Sequence, residues 1–239
     1  MASSTDNKIH VIVVAAGIGR RFTEKNATTE STPKQYQMIG NSTVLAHSIK
    51  AFNEVNVTGI TVVLHPKDTH WQQQPKINSK HPIHITVGGE QRHDSVRNGI
   101  KSLQADKQDW VLVHDAARPC VSQSEIQNLI DACTQQQQGG LLVKPVSDTI
   151  KHSKDRLTVD KTLNRSQLYA ALTPQMFRCG DLLKALTVFE AGSITDESSA
   201  LEAQGQQPIM VEGKNSNIKI TSFEDLPIAA AILQQQGRL

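Results

Sequence analysis

Residues 11–22 read VIVVAAGIGRRF and, after a polar loop, residues 32–36 read TPKQY. The first stretch decides the fold, because a short apolar run rich in valine is typical of a strand buried on both faces. The run leads into a turn of small residues, which are Ala15, Ala16, Gly17 and Gly19. Since such residues leave no bulky side chains in the way, backbone N–H groups can approach an anion closely at this turn.

Basic residues stand at both ends of the loop that follows the turn. Arg20 and Arg21 begin the loop, and Lys34 ends it. The spacing lacks the third glycine of a dinucleotide fingerprint and the G-K-S/T of a P-loop, which disfavours both classes. A tight turn with solvated basic residues would account for the glycines alone, but Pro33 and Lys34 favour a cradle for a triphosphate.

Other short apolar runs alternate with amphipathic segments. The runs cover residues 59–64, 84–87, 110–114, 140–146 and 208–211. Segments with helical spacing lie between several of them, at residues 44–52, 96–103 and 126–133. This alternation predicts a single domain over residues 1–239, with a three-layer αβα Rossmann-like fold and a mostly parallel, twisted sheet.

Polar residues predict where three of the helices begin. The candidate N-caps are Asp94 or Ser95, Ser122 or Ser124, and Thr195 or Asp196. Each pair precedes a periodic apolar segment, and such side chains can accept from the free N–H groups of a first helical turn. The last of these helices is expected to run through Ala200 and Leu201 to Gly205.

The stretch 148–172 interrupts this pattern. Its apolar residues alternate among polar ones, and the alternation is too short and too polar for another buried strand. We therefore expect a β-hairpin arm that projects from the sheet at about residues 147–170.

Composition limits the kinds of partner. Of the 239 residues, 38% are apolar and 20% are charged, as in an ordinary globular protein, and aromatic residues are scarce at 4%. The formal net charge of +2 is too small to indicate binding to nucleic acid or to an anionic membrane. Recognition of an anion must then come from a few placed cations.

Signals for export and for zinc are weak in this sequence. The cysteines Cys120, Cys133 and Cys179 are odd in number and lack C-x-x-C spacing. Residues 1–8 lack the regions of a secretory signal, and no apolar run approaches the roughly 20 residues of a spanning helix. These features favour a reduced cytoplasm.

Asp115 follows the apolar run 110–114 and precedes Arg118. It should therefore lie at the carboxyl end of a strand, where ligands collect in open α/β sheets. A carboxylate at that edge suits Mg²⁺, which prefers oxygen ligands and is often shared with substrate phosphates. The alternative is a structural aspartate that caps the turn before Arg118.

Five motifs, in order along the chain, resemble those of one enzyme family. A-A-G-x-G-x-R followed by P-K-Q-Y is similar to the signature of the sugar-nucleotide pyrophosphorylase superfamily. The resemblance is narrowed to the methylerythritol-phosphate cytidylyltransferases by GGEQRHDSV (88–96), VHDAARP (113–119), ITDESSALE (194–202) and NIKIT (217–221). The chain departs from the family at Val14, where many members have proline, at Glu90, where many have aspartate, and in its longer loop 21–34.

The resemblance implies a nucleotide site built from several segments. Its members are Ala15, Ala16, Gly17, Gly19, Lys34, Gly89, Ser95, Asp115, Ala116 and Lys219. Gly89 and Ser95 are implied to face the cytosine, and Asp115 to hold Mg²⁺. Arg21 and Lys34 are implied to act on the developing charge and the departing pyrophosphate. On the residues alone, Ser95 is a helix cap after a glycine turn, and Lys219 is an exposed strand residue.

The resemblance also implies an acceptor site and a homodimer. The positions that match acceptor contacts are Thr149, Arg165, Thr173, Thr195 and Lys219. Arg165 is implied to reach from the arm into the site of a neighbouring subunit. Lone threonines are more often turn or cap residues.

The implied reaction transfers a cytidylyl group from CTP to the polyol phosphate 2-C-methyl-D-erythritol 4-phosphate and releases pyrophosphate. The acceptor phosphate has a second pKa near 6 and needs no strong general base, so catalysis should rest on positioning and charge neutralisation. A ribitol-phosphate cytidylyltransferase, or another sugar-nucleotide pyrophosphorylase, would keep the cradle and change the acceptor. A nucleotide-binding regulator without turnover is the alternative from another class.

Overall fold

The computed structural model describes residues 7–17, 32–188 and 194–239. Its strands are β1 (Ile9–Ala15), β2 (Met38–Ile39), β3 (Ser42–Thr43), β4 (Gly59–Leu64), β5 (Ile83–Val87), β6 (Trp110–Asp115), β7 (Gly140–Pro145), β8 (Lys151–His152), β9 (Lys161–Thr162), β10 (Tyr169–Arg178) and β11 (Ile209–Glu212). Its α-helices are α1 (Val44–Lys50), α2 (Arg92–Ser102), α3 (Gln123–Gln136), α4 (Cys179–Val188), α5 (Glu197–Glu202) and α6 (Asp225–Gln235). Short 3₁₀ turns occupy Lys34–Tyr36 and Arg165–Gln167.

A seven-stranded sheet forms the middle layer of the molecule. Its strand order is β11-β7-β10-β6-β1-β4-β5. β1 pairs in parallel with β4 on one side and with β6 on the other, and the β4–β5 and β7–β11 pairs are parallel too. β10 runs antiparallel to both of its neighbours, β6 and β7. The predicted α/β fold with a mostly parallel sheet is therefore confirmed.

Alternate residues of β1 pack on opposite faces of the sheet. Val11 and Val13 belong to a core that includes residues of α1 and α3, whereas Ile12 belongs to a second core with residues of α2 and α4. All three side chains are fully buried. Burial on both faces explains why the strand reads as a continuous apolar run, and it gives the molecule its three layers.

Most of the predicted elements are present, but one predicted helix start is wrong. Ser122 and Asp196 are the N-caps of α3 and α5, as expected. The cap predicted at Asp94 or Ser95 is not observed, because α2 begins at Arg92 with Gln91 as its N-cap. Asp94 lies inside the first turn, where its carboxylate reaches back to accept from the Gln91 N–H at 3.2 Å.

The sequence pattern did not predict β10. Its register against β7 shifts between Ala171 and Gln175, and Pro174 between them has no N–H to donate to a ladder. The polar residues Thr173 and Gln175 are nevertheless buried, which interrupts the apolar pattern that marks the other strands. β10 therefore begins within the stretch that reads as an arm.

The predicted hairpin is present before β10. β8 and β9 pair antiparallel, with Lys151 opposite Thr162, and form a separate two-stranded ladder. Most of the residues between β8 and β10 are exposed. At its base the arm is joined to the sheet region by a hydrogen bond from Val146 N–H to Leu168 O, 3.1 Å long.

Helix α6 packs beside the sheet and supports a loop of the cleft described below. Ala229 and Leu233 of this helix share a small core with Ile39 of β2 and with Ile220. The segment 217–221 is thereby held against the body of the protein. Among the helices of the described ranges, none is long and apolar enough to cross a membrane.

Candidate functional site

A cleft lies at the carboxyl ends of β1 and β6, the edge at which ligands bind in open α/β sheets. Its lining residues are Val14, Ala15, Ala16, Gly17, Lys34, Gln35, Arg92, Ser95, Asp115, Ala116, Ala117 and Lys219. The structure thus brings together most of the residues predicted to bind a nucleotide. Gly19, Arg20 and Arg21 lie outside the described residues.

The end of β1 offers open backbone to the cleft. A side chain added at Gly17 would meet no atom within 4 Å, so space remains beside this residue. Gln35 holds the loop in place, since its Nε2 donates to Ala15 O at 2.9 Å and to Gly17 O at 3.3 Å. Sequence reasoning did not select Gln35, although its place beside Lys34 in the P-K-Q-Y motif was an available signal.

Lys34 lies in the 3₁₀ turn that Gln35 ties to the loop. Its Nζ donates to Ile220 O at 3.1 Å. Ile220 is fully buried, and its own N–H donates to Ala117 O at 2.8 Å. The amino group of Lys34 is therefore placed between the end of β1 and the segment 217–221, on the rim of the cleft.

Asp115 ends β6 and is 7% exposed. Its Oδ1 accepts from Nε and Nη2 of Arg92, at 3.1 and 3.0 Å, and its Oδ2 accepts from Nζ of Lys219 at 2.6 Å. Burial by itself raises the pKa of Asp115, but the charges of Arg92 and Lys219 outweigh it and hold the pKa well below its usual range. Asp115 is therefore an ionised carboxylate between two cations. Lys219 is not a strand residue, because the segment 217–221 forms no strand.

Glu197 is a second carboxylate of this cluster that sequence reasoning missed. It is 1% exposed, and its Oε1 and Oε2 accept from Nη1 and Nη2 of Arg92 at 2.5 and 3.1 Å. Burial raises the pKa of Glu197, and the neighbouring charge of Arg92 opposes this rise. Both residues belong to motifs that carried the resemblance, but a sequence holds no signal that residues 92 and 197 meet.

A hydrogen-bond chain supports Asp115 from behind. Its N–H donates to Thr173 Oγ1 at 3.1 Å, and Thr173 Oγ1 lies 3.0 Å from Nδ1 of His114. Nε2 of His114 lies 3.0 Å from Arg118 O, which can only accept, so Nε2 carries the proton and Nδ1 accepts from the threonine. Burial lowers the pKa of His114 to about 4, which keeps the ring neutral. Thr173 was predicted to contact the acceptor, but it is buried and its hydroxyl is engaged by His114 and by the Asp115 N–H.

The glycine loop after β5 packs tightly against the end of β1. A Cβ at Gly88 would lie 2.7 Å from the Cβ of Ala16 and 2.7 Å from Oγ of Ser95. Oγ of Ser95 accepts from the Gly89 N–H at 3.1 Å and donates to Gln91 O at 3.1 Å. Only glycine fits at residue 88, and Ser95 shapes the loop that was predicted to face the cytosine.

The remaining residues predicted to bind the acceptor lie apart from this cluster. Thr149 is exposed near the base of the arm, and Thr195 is exposed just before α5. Arg165 is exposed in the 3₁₀ turn of the arm and donates to Ser147 O. These three residues are not part of the cleft lining of their own chain as the described ranges show it.

The cleft could hold a metal ion only through a single carboxylate among the described residues, that of Asp115. Among the described residues no group of three His, Cys, Asp or Glu side chains could hold a metal ion. Mg²⁺ usually keeps several waters and is bound by one or two carboxylates together with substrate phosphates. The single carboxylate of Asp115 therefore fits a magnesium ion that is shared with a bound triphosphate.

Comparisons with known proteins agree with this geometry. A family model described as 2-C-methyl-D-erythritol 4-phosphate cytidylyltransferase matches residues 9–235. A protein of that name from Hahella chejuensis is 42% identical over 240 residues, which cover 98% of this chain and 96% of that protein. Another, from Vibrio vulnificus (strain CMCP6), is 40% identical over 231 residues and covers 94% of each chain.

Solved structures show the same likeness. The crystal structure of 2-C-methyl-D-erythritol 4-phosphate cytidylyltransferase from Francisella tularensis superposes with a TM-score of 0.79 at 35% identity, over 95% of this chain and 100% of that one. The crystal structure of the protein of that name from Thermus thermophilus superposes with a TM-score of 0.74 at 26% identity, over 95% of this chain and 99% of that one.

Proposed function

The chain belongs to the 2-C-methyl-D-erythritol 4-phosphate cytidylyltransferase family, and from this premise we propose how its cleft carries out the reaction. The enzyme transfers a cytidylyl group from CTP to 2-C-methyl-D-erythritol 4-phosphate and gives 4-diphosphocytidyl-2-C-methyl-D-erythritol and pyrophosphate. The observation that carries the assignment of the site is the meeting of Lys34, Lys219 and Asp115 at the open end of β1.

The triphosphate binds across the loop at the end of β1. Ala15, Ala16 and Gly17 offer backbone without bulky side chains, and Gln35 keeps that backbone fixed. The cytosine lies toward the loop of Gly89 and Ser95, whose shape is held by the bonds that Ser95 Oγ makes to the Gly89 N–H and to Gln91 O. Gly19, Ala116 and Lys219 are the other nucleotide contacts in this proposal.

The reaction needs two polyanions at one place. A phosphate oxygen of the acceptor attacks the α-phosphorus of CTP, and the bond from that phosphorus to the oxygen of the departing pyrophosphate breaks. The acceptor phosphate is already largely dianionic, so no side chain has to remove a proton. Lys34 and Arg21 stabilise the charge that develops on the leaving pyrophosphate, and Lys219 stabilises the incoming phosphate.

Asp115 is the residue that would hold a magnesium ion together with the triphosphate. Such an ion neutralises phosphate charge and orients the leaving group. The cations around Asp115 keep its carboxylate ionised, which is the form that a metal requires. The three cysteines of the chain are free thiols, which agrees with a reducing compartment, and we place the reaction in the cytoplasm.

The function is tested by pyrophosphate release from purified protein with CTP and Mg²⁺. We expect rapid release with 2-C-methyl-D-erythritol 4-phosphate and little with ribitol 5-phosphate, glucose 1-phosphate or no acceptor. Faster turnover of ribitol 5-phosphate would identify a ribitol-phosphate cytidylyltransferase. Binding of CTP without release of pyrophosphate in the presence of any acceptor would identify a regulator rather than an enzyme.

We further propose that the active unit is a homodimer in which the arm of one subunit completes the site of the other. The support is that Arg165 and Thr149 lie on the exposed arm, outside the cleft of their own chain. Arg165 would there bind the acceptor phosphate, with Thr195 near its polyol, whereas the buried hydroxyl of Thr173 would support Asp115 from behind.

Mixed dimers test this sharing of sites. In a dimer of one Lys34→Ala subunit and one Arg165→Ala subunit, both substitutions lie in the same active site, because Lys34 of one subunit meets Arg165 from the arm of its partner. The second active site of that dimer is intact. Random mixing should therefore restore about a quarter of the wild-type activity, although each variant alone is nearly inactive. Lys151→Ala, a substitution on the same arm, is the matched control and should leave activity unchanged. Verified mixed dimers without recovered activity would contradict a shared site.

A further inference from the structure

Four charged side chains from distant parts of the chain pair one after another, in a charged line that runs from the cleft lining into the buried interior. Glu197 pairs with Arg92, Arg92 pairs with Asp115, and Asp115 pairs with Lys219. Negative and positive groups alternate along the line, and the two carboxylates are almost completely buried. The two ends differ, because Lys219 is partly exposed to the cleft while Glu197 is 1% exposed.

Arg92 is occupied by the two carboxylates. Its Nε and Nη2 donate to Oδ1 of Asp115, and its Nη1 and Nη2 donate to Oε1 and Oε2 of Glu197. A guanidinium has five N–H donors in a fixed plane, so these bonds set its orientation and engage every one of its nitrogens. Arg92 lines the cleft, but these bonds make it a rigid bracket between the two carboxylates.

Glu197 is itself held firmly, because the first turn of α5 is locked to β10. Gln175 of β10 accepts from the Ser198 N–H and donates to Oδ2 of Asp196, both at 2.8 Å. Oδ1 of Asp196 accepts from the Ser199 N–H at 2.9 Å. The same strand supplies Thr173, whose hydroxyl accepts from the Asp115 N–H. β10 therefore fixes both carboxylates that hold Arg92.

We propose that Glu197 is a positioning residue for the transfer reaction, which fixes the Asp115 carboxylate at the edge of the cleft through Arg92. This inference rests on the proposed function of Asp115. It gives a role to Glu197, the buried end of the charged line, which is not among the residues that line the cleft. Without the charge of Glu197, the guanidinium has one carboxylate left, and it moves toward Asp115 and turns that group.

The size of the effect follows from how sensitive transfer reactions are to geometry. Moving a catalytic group by about 1 Å can cost on the order of 100-fold in rate. Because Glu197 does not touch substrate, its loss should lower kcat and leave the KM for 2-C-methyl-D-erythritol 4-phosphate within about threefold of the wild-type value.

The test compares Glu197→Gln with Glu197→Asp and with Glu202→Gln. Glutamine keeps the shape and removes the charge, and aspartate keeps the charge on a shorter side chain. Glu202 is the matched control, since it lies on the same helix and accepts from Ser198 Oγ rather than from Arg92. We expect kcat to fall about 30- to 100-fold for Glu197→Gln, to recover at least about fivefold in Glu197→Asp, and to stay unchanged for Glu202→Gln.

Two further measurements separate positioning from stability. The urea midpoint and the circular dichroism spectrum of each variant show whether it is folded under the assay conditions.

The double variant Arg92→Gln with Glu197→Gln tests whether Glu197 acts through Arg92. It leaves no unpaired charge at this pair, and its kcat should be no lower than that of Arg92→Gln alone. This double variant keeps the inference testable if Glu197→Gln fails to fold.

Several results would overturn the inference. One is a folded Glu197→Gln enzyme whose kcat is within about twofold of the wild-type value. Another is a Glu197→Gln variant that is less stable than wild type but has an unchanged kcat. An additive loss in the double variant would show that Glu197 acts by another route. If wild-type protein releases no pyrophosphate, the proposed function fails first, and that outcome is distinct from normal wild-type turnover with an unaffected Glu197→Gln variant.

Discussion

Replacing Lys34 by alanine is expected to lower kcat about 1,000-fold while the protein remains folded. Lys34 lies on the rim of the cleft, where Gln35 ties its turn to the end of β1 and its Nζ reaches Ile220 O. A preorganised charge of this kind acts where negative charge accumulates on the departing pyrophosphate, and water cannot replace it without reorganising. Steady-state pyrophosphate release at saturating CTP measures the loss.

Two variants control for charge and for packing. Lys50→Ala removes a lysine of α1 that donates to Ser42 Oγ outside the cleft lining, and it should leave kcat unchanged. Lys34→Arg keeps the charge on a bulkier group, and it should recover part of the lost activity. A purified Lys34→Ala protein with near-normal turnover would defeat the role assigned to Lys34.

Asp115→Asn should reduce turnover at least as strongly, and it should also destabilise the fold. The carboxylate accepts from Arg92 and Lys219, and an asparagine would leave these two cations without their shared counter-charge. Breaking a buried ion pair by removing one partner typically costs about 3–5 kcal/mol. We expect a kcat below about one-thousandth of the wild-type value and a lower urea midpoint. If Asp115 holds the metal, the Mg²⁺ concentration for half-maximal activity should rise as well.

Asp109 provides a control at the other end of the same strand. It is a buried carboxylate just before β6, where it accepts from the Lys8 N–H at 3.0 Å and from the Asp106 N–H at 2.9 Å. Asp109→Asn should lower stability and leave kcat unchanged, because the strand separates it from the cleft. Equal losses of kcat in both variants would mean that Asp115 acts only on the fold.

The strands could be predicted where their burial was uniform. β1, β4 and β6 are buried on both faces, and apolar residues dominate their sequences, so each gives a recognisable strand signal. β10 gives no such signal, because Thr173 and Gln175 are buried polar residues whose partners come from other segments. A polar residue that is satisfied by a distant partner resembles a loop residue until the partner is known.

Some residues of the site could likewise be predicted from the sequence, and others could not. Asp115 and Lys34 could be selected because each stands beside a strand end or a motif that points to an anion. The pairing of Arg92 with Glu197 could not, since it joins residues 105 positions apart in the chain. An acidic residue in the first turn of a helix also has a simple explanation in the helix dipole. The unusual property of Glu197 is its burial, which cannot be predicted from the sequence.

The reversed direction of β10 has a consequence for how the arm can vary. Since β7 and β10 are antiparallel neighbours, the whole segment between them is the connection of one large hairpin. Residues added or removed at its tip, between His152 and Lys161, leave every ladder bond of the central sheet in register. In the proposed homodimer, the arm could therefore lengthen or shorten between related proteins while the carboxyl-end edge of the sheet keeps its geometry.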